Sequence, residues 1–478
     1  MKGKSTLIAI VTTINCNAWA FEFPSIFEDP LITRPQVLAL GATRPGDDKS
    51  LICFSHDSDS QSLQQLLALA TAVDIALCNN PQVKAAWASI KAQAGTLGQA
   101  KAAYLPTLNA TISKLKNETR YTDGISPDTS NRGKTQYINF TWRLFDFGAR
   151  SANLESANQL LTAALATHEA TLQKVLNTVV SAYFDAMTAQ ATLKARTQAV
   201  ALAKHTVQTT RRREIKGIAA LSDTLQATAA LAKAQLAENR AQGDARKAHA
   251  VLIYAMGLST NTQVTLPEEH AETQGEIIQD LAQWISEAQL KHPAIASARA
   301  QFAASKAKVQ SVQAEGLPTL DFTQNQYRNG YPNQGLSATN TVVNTVGLTL
   351  TAPLFEGFSR TYKIREAQAQ SEKSEAQLQD TELQILIEVV KAHADALSSF
   401  ENLHASQQLL DATQAAVNSS QIRYDKGAAD ILELLSTQSA LADAQQERVR
   451  CISDWRSARL RLMSNSGVLG KEDIAAQK

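Results

Sequence analysis

The chain has 478 residues, with 46 Lys and Arg against 45 Asp and Glu, a formal charge of +1, and 44% hydrophobic and 19% charged residues. So even a balance gives no argument for nucleic acid, which is not expected as a partner. Length alone would allow two or three domains, but a duplication described below replaces that count.

Residues 1–20 have the three parts of a secretory signal peptide: Lys2 and Lys4, the apolar run "LIAIVTTI", and the small-x-small site Ala18-Trp19-Ala20. Asn15 and Thr13 precede Cys16 where a lipoprotein signal needs a small and an aliphatic residue, so lipidation is not expected. Without its two lysines the mature balance is 44 − 45 = −1. Beyond the signal no apolar run approaches the ~20 residues of a spanning helix, so any passage through a membrane must use strands. Residues 21–60 form an N-terminal extension containing Cys53. In an exported chain Cys53 and Cys78 are the candidate disulfide, the alternative being two unpaired thiols, while Cys451 stands alone.

From there the sequence is written twice, as a first repeat over 61–260 and a second over 261–467, followed by a C-terminal tail, 468–478. Asn80-Pro81 matches His292-Pro293, and Leu105-Pro106 matches Leu317-Pro318, at an offset of 212. Phe145 matches Phe355, Arg150 matches Arg360 and Gly257 matches Gly467 at 210, which puts the length change in the polar loop between. A period this long marks an internal duplication, not a solenoid.

Each repeat alternates long Ala/Gln/Leu/Lys/Glu stretches with short pieces rich in Thr, Val, Phe and Trp. Leu176, Val180, Tyr183 and Met187 fall at helical spacing, as do Leu386, Val390, His393 and Leu397 in the second copy. Residues 149–213 contain neither proline nor glycine. An unbroken helix there would reach roughly 100 Å at ~1.5 Å per residue, which reads as a coiled coil.

Strands are predicted near 105–117, 136–147, 318–328 and 343–355. Ile138, Phe140, Trp142 and Leu144 alternate with Asn139, Thr141 and Arg143, and the second copy sets Leu348, Leu350 and Leu354 on the matching face. Apolar-out, polar-in segments of this length are the pattern of outer-membrane strands, so these seven residues are the candidate lipid-facing set. Four strands cannot close a barrel, and an open edge in lipid leaves backbone groups unpaired. Two copies would give eight strands with a filled interior and three would give twelve with a lumen, so a channel favours three or more.

No enzyme motif is present. The eight histidines show no metal-ligand spacing, "RGKT" at Arg132 lies in a polar hairpin loop and lacks the first glycine of a P-loop, and no nucleophile elbow occurs. Neither cofactor nor metal is expected, and energy for transport must come from a partner.

The duplication, the opening "NNPQVKAAWASIKAQAG…AAYLPTLNA" with its echo "KHPAIASARAQFAASKA…AEGLPTLDF", and "RYDKGAADILELLSTQSAL" resemble the TolC family of outer-membrane channels over residues 60–467. The resemblance implies an α+β membrane protein, internally duplicated, whose long helices form an α-barrel and whose four strands per chain join a trimeric 12-stranded transmembrane β-barrel. It implies a homotrimer in the outer membrane of a Gram-negative bacterium, in contact with outer-membrane lipid. Its further partners are a periplasmic adaptor (membrane fusion protein) and an inner-membrane ABC transporter or proton-driven pump. Family constrictions carry acidic residues after the glycine of the last motif, which places Asp223 and Glu433 at a pore constriction. Ser436 stands where the family has a second acid. Arg213, Arg423 and Tyr424 match the network that ties the gate shut. Two functional readings follow. One is a passive exit duct, serving type I protein secretion or drug efflux; the other is a soluble periplasmic coiled-coil scaffold or adaptor.

Overall fold

The structure is a computed structural model that describes residues 66–122, 128–259, 262, 264–267, 280–329 and 341–469. These lie within one unit, Gln36–Lys478. The predicted signal peptide, the predicted N-terminal extension with Cys53, and most of the predicted C-terminal tail lie outside the described residues.

The duplication is exact in helix length. Helices α1 (Leu69–Asn79) and α2 (Pro81–Ala102) have 11 and 22 residues, as do α5 (Leu281–Lys291) and α6 (Pro293–Ala314). Helices α3 (Ala149–Ile215) and α4 (Leu221–Ala255) have 67 and 35 residues, as do α7 (Ser359–Asp425) and α8 (Ile431–Asn465). Strands β1 (Thr107–Thr119) and β2 (Thr129–Phe145) lie between α2 and α3, and β3 (Thr319–Arg328) and β4 (Val342–Thr351) between α6 and α7. The first hairpin is the longer: β2 begins well before the predicted 136. β4 stops short of the predicted 355, because Pro353 has no N–H to donate to a ladder.

Short signals in the sequence set the helix boundaries. Proline occupies the first turn of α2 and α6, where its missing N–H costs nothing. The preceding residue caps each: Asn80 Oδ1 accepts from the Gln82 N–H at 2.8 Å, and His292 Nδ1 from the Ala294 N–H at 3.2 Å. Gly257 and Gly467, with φ of +71° and +75°, end α4 and α8 against these same junctions. A Cβ at Gly257 would come within 2.9 Å of the Asn79 carbonyl carbon, and one at Gly467 within 3.0 Å of the His292 Cα. Glycine is therefore required twice, by conformation and by space.

The largest core packs Leu172, Leu176, Val179, Val180 and Tyr183 of α3 against Val73 and Leu77 of α1 and Leu252 of α4. The Tyr183 hydroxyl donates to the Leu67 carbonyl at 2.9 Å, and burial pushes its phenol up to about 12. The matching part of α7 departs from expectation. There Val389, Ala392 and Ala396 are buried, with Trp455 of α8, whereas Val390 and Leu397 of the predicted stripe are exposed. Ala-rich α7 carries apolar residues on two faces, and periodicity alone does not tell which one its own chain covers. Among the described residues no helix is long and apolar enough to cross a membrane.

The four strands form one antiparallel sheet in the order β1-β2-β3-β4. The β2–β3 pairing joins the two repeats, and β1 and β4 are its two edges.

Candidate functional site

Two regions assemble the residues singled out by sequence: the sheet, and the turns at the far ends of the long helices.

On the sheet, the register sets Leu108 opposite Phe140, Ala110 opposite Ile138, Trp142 opposite Phe322, and Phe322 opposite Leu348. Directly opposed residues share a face, so Ile138, Phe140, Trp142, Leu348 and Leu350 fall on a single apolar face together with Leu108 and Ile112. Most of these side chains are exposed in the chain: Ile112 is 72% exposed and Leu350 70%, a one-sided apolar surface on a narrow sheet. On β3 the same face turns polar at Gln324 and Gln326.

Strict alternation fails near one end. The register shifts between Arg143 and Phe145, so Phe145 instead of Leu144 joins the row of Leu320 and Leu350. Leu144 is the extra residue of a β-bulge, a device that re-aims a side chain. Leu354 lies past the end of β4, at the strand-to-helix junction, and is almost fully exposed.

The opposite face is a polar ladder. Asn139 Nδ2 donates to Asn325 Oδ1 at 2.6 Å, the Tyr137 hydroxyl donates to the same oxygen at 3.1 Å, and Arg143 pairs with Asp321 at 2.9 Å. Tyr137 and Tyr327 stack with centroids 4.9 Å apart. The sheet thus has one face suited to lipid and one to water.

Both strand-to-helix turns use two consecutive residues in the left-handed region. In "FDFGAR" these are Phe147 (φ 50°) and Gly148 (φ 93°); in "FEGFSR" they are Gly357 (φ 60°) and Phe358 (φ 63°). One glycine relieves each turn and a phenylalanine bears the other left-handed position, in reversed order. Each turn is locked by a matched ion pair, Arg150–Asp146 and Arg360–Glu356, both at 2.7 Å. Arg150 lies over the Tyr104 ring, 4.7 Å from its centroid. In the second copy Gly316 replaces that tyrosine, and Arg360 fills the space a Cβ there would need. The exposed rings Phe145, Phe147, Phe355 and Phe358 cluster at these junctions, in edge-to-face pairs.

At the far ends of the long helices, Gly217 and Gly427 turn α3 into α4 and α7 into α8 with φ of +70° and +74°. Arg213, in the last turn of α3, reaches α7: its Nη1 donates to the Tyr424 carbonyl at 2.7 Å and its guanidinium lies 4.6 Å from the Tyr424 ring centroid. Tyr424 is buried with Ile431 and Leu434, and its hydroxyl has no hydrogen-bond partner among the described residues. Burial pushes the Tyr424 phenol up, the Arg213 charge opposes this, and Asp223 and Asp425 add to it. Asp223 and Glu433 each occupy the first turn of their helix, where the backbone N–H groups favour a carboxylate.

Sequence reasoning did not pair Arg423 with Glu433, yet Arg423 Nη1 sits 2.9 Å from Glu433 Oε1. Their separation of ten residues matches no helical spacing; the glycine turn brings them together. Ser436 is exposed, one turn beyond Glu433. Two inter-helix bonds were also unforeseen: the Thr206–Gln438 amide contact at 3.1 Å and the Ser420–Thr437 hydroxyl contact at 2.7 Å. Cys78 is disulfide-bonded and Cys451 is a buried free thiol. Among the described residues no group of His, Cys, Asp and Glu could hold a metal.

A long-helix hairpin tied at its tip and a sheet with one lipid-compatible face are the parts that an outer-membrane duct requires. The profile of the outer membrane efflux protein family matches residues 72–258 and 284–468, one match per repeat, and the chain belongs to that family. It is 34% identical over 408 residues to Protein CyaE of Bordetella pertussis, covering 85% of each chain. It is 24% identical to the alkaline protease secretion protein AprF of Pseudomonas aeruginosa, covering 85% of this chain and 86% of the relative. Its fold matches the outer membrane protein VceC of Vibrio cholerae with a TM-score of 0.74 and 21% identity, covering 84% and 96% of the two chains. The protein is thus an outer-membrane duct for efflux or secretion, and the soluble-scaffold reading is not favoured.

Proposed function

We propose that three copies of this chain close a 12-stranded barrel and a continuous helical tunnel, forming the passive exit of a tripartite export machine. One observation carries the reading: the sheet ends in two unpaired edges, β1 and β4, while one of its faces is apolar and exposed. In lipid each open edge would leave N–H and C=O groups without partners, and pairing β1 of one copy with β4 of the next removes both edges. Twelve strands leave a lumen, which the polar ladder of Asn139, Asn325 and Tyr137 would line. The exposed Leu383, Ile387, Val390 and Leu397 of α7 would pack against a neighbouring copy.

In this assembly Asp223 and Glu433 form rings of three like charges at the constriction, beside Ser436, and favour cations. Arg213, Arg423 and Tyr424 hold the gate closed until a periplasmic adaptor and an inner-membrane transporter dock. Cys53 is the proposed partner of Cys78. The repeat boundaries at 61–260 and 261–467 separate two similar staves. The duct itself is passive, and the inner-membrane partner supplies the energy. Polypeptide export is the favoured cargo class, supported by the similarity to the alkaline protease secretion protein.

The test is a secretion assay in a host deleted for this gene, complemented by wild type and scored against both a secreted polypeptide and small-molecule resistance. Restored polypeptide export without restored resistance supports the reading. Restored resistance alone would reassign the duct to small-molecule efflux.

A further inference from the structure

The apolar face of the sheet does not continue to the hairpin ends. Beyond Ile112 on β1 the residues on that face are Lys114 and Lys116, and the register sets Lys114 opposite Lys134 and Lys116 opposite Arg132. Arg328 of β3 lies opposite Gln136, so it is diagonal to Lys134 on the same face. Successive residues on a face are ~7 Å apart and opposed pairs ~5 Å apart, so these five cations share a patch ~14 Å long and ~10 Å wide, in which nearest neighbours lie within one Debye length of each other. All five side chains are exposed. Only one carboxylate on these rows, Glu118, pairs with the cluster, through Lys116. Among the described residues no salt bridge joins Lys114, Arg132, Lys134 or Arg328 to an acid.

Like charges directly opposed across strands are destabilising, and here two such pairs are stacked in adjacent rows. Nor does the duplication require them: the second-copy counterparts of Lys114, Lys134 and Arg132 are Gln326, Asn344 and Val342. Four of the five cations belong to the longer first hairpin, and Arg328 joins them from the end of β3. It sits at the end of the strands remote from the helices, immediately past the exposed Leu108, Ile112 and Ile138.

We propose that this patch binds the phosphates of a glycolipid headgroup in the outer leaflet, with the lipid's acyl chains lying along the apolar face below. The inference rests on the barrel reading above, because that reading turns this face to lipid and the hairpin end to the cell surface. The occupant follows from charge and position: four uncompensated cations directly beyond an apolar surface match a ligand that is anionic at one end and hydrocarbon at the other. Arginine offers a bidentate fork to phosphate and lysine a point charge, so both kinds of donor are present. A closed trimer would carry three such patches.

The experiment is native mass spectrometry of the full-length protein, extracted in detergent, with added diphosphorylated lipid A, enzymatically dephosphorylated lipid A, or inorganic phosphate. The variant is Lys114→Gln/Lys116→Gln/Arg132→Gln/Lys134→Gln. The control removes four exposed charges of α4, as Lys233→Gln/Arg240→Gln/Arg246→Gln/Lys247→Gln. Each sample is also tested for single-channel conductance. The wild type and the control are expected to retain diphosphorylated lipid, the hairpin variant to lose it by tenfold or more with its conductance intact, and the dephosphorylated lipid to bind at least tenfold less. Equal retention by the hairpin variant, equal binding of dephosphorylated lipid, or inorganic phosphate binding as well as the lipid would overturn the proposal while leaving the channel standing. Loss of conductance in the wild type would bring down the channel reading, and this inference with it.

Discussion

Arg423 and Glu433 hold one another across the α7–α8 turn at 2.9 Å, so the carboxylate assigned to the constriction is tied to an arginine of the gate network. In the proposed assembly this pair would couple the acidic ring to the gate, because moving Arg423 away would leave the Glu433 carboxylate unpaired.

Charge selectivity should therefore move in opposite directions in two variants. Glu433→Ala is expected to lower cation selectivity, and Arg423→Ala, which releases Glu433 from its partner, to raise it. Reversal potentials across planar bilayers under a salt gradient measure both. Equal shifts of the same sign would show that the two residues do not act as a pair.

The contact between Arg213 and Tyr424 predicts a different separation. Arg213 bonds the carbonyl and covers the ring, while the Tyr424 hydroxyl is unpartnered. Arg213→Ala should therefore open the gate, by roughly tenfold in the closed-to-open ratio if the charged bond contributes about 1.5 kcal/mol. Tyr424→Phe should leave it near wild type. Closed-state conductance reports this directly, and a leaky Tyr424→Phe channel would mean that the hydroxyl finds a partner in the assembly.

The reversed glycines of the two strand-to-helix turns predict a conformational cost. Gly148→Ala and Gly357→Ala each place a Cβ in the left-handed region and should destabilise by about 1–2 kcal/mol per site. Phe358→Gly should relieve strain at the second turn but lose an exposed aromatic ring. The temperature at which the assembly dissociates is the readout, and an unchanged value in Gly148→Ala would refute the strain argument.

Acid sensitivity is expected at the cap of α6. Burial lowers the His292 pKa to about 4, from an ordinary 6.5. The neutral ring is the folded form, and its Nδ1 caps the helix. Unfolded chains bind the proton first as pH falls, so this contribution is complete above about pH 6.5 and is lost as pH drops toward 4, by up to about 3 kcal/mol. His292→Asn, which copies the cap that Asn80 provides in the first repeat, should flatten the pH dependence in that window. Urea denaturation at pH 7 and pH 4.5 compares the two proteins.

Much of the architecture is readable in the sequence because its signals are local. Asn80-Pro81 and His292-Pro293 start helices by capping, and Ile138, Phe140 and Trp142 declare a strand face by period two. What escapes depends on non-local packing. No local feature marks the bulge that re-aims Phe145, because its cause is the register with β3. The stripe through Leu176 and Val180 is buried and its copy through Val390 is not, since periodicity reveals an apolar face without naming its neighbour. Arg423 and Glu433 can each be picked out by position after or before a glycine. Their union needs the turn that Gly427 makes.

In the proposed trimer this sheet is one third of a closed barrel. The most direct measurement is the mass of the species extracted intact from the outer membrane by mild detergent, taken on the same sample that is then tested for conductance. Three chains per particle with a stable ohmic channel is the predicted result. A monomer or a dimer as the conducting species, or a trimer without conductance, would contradict it.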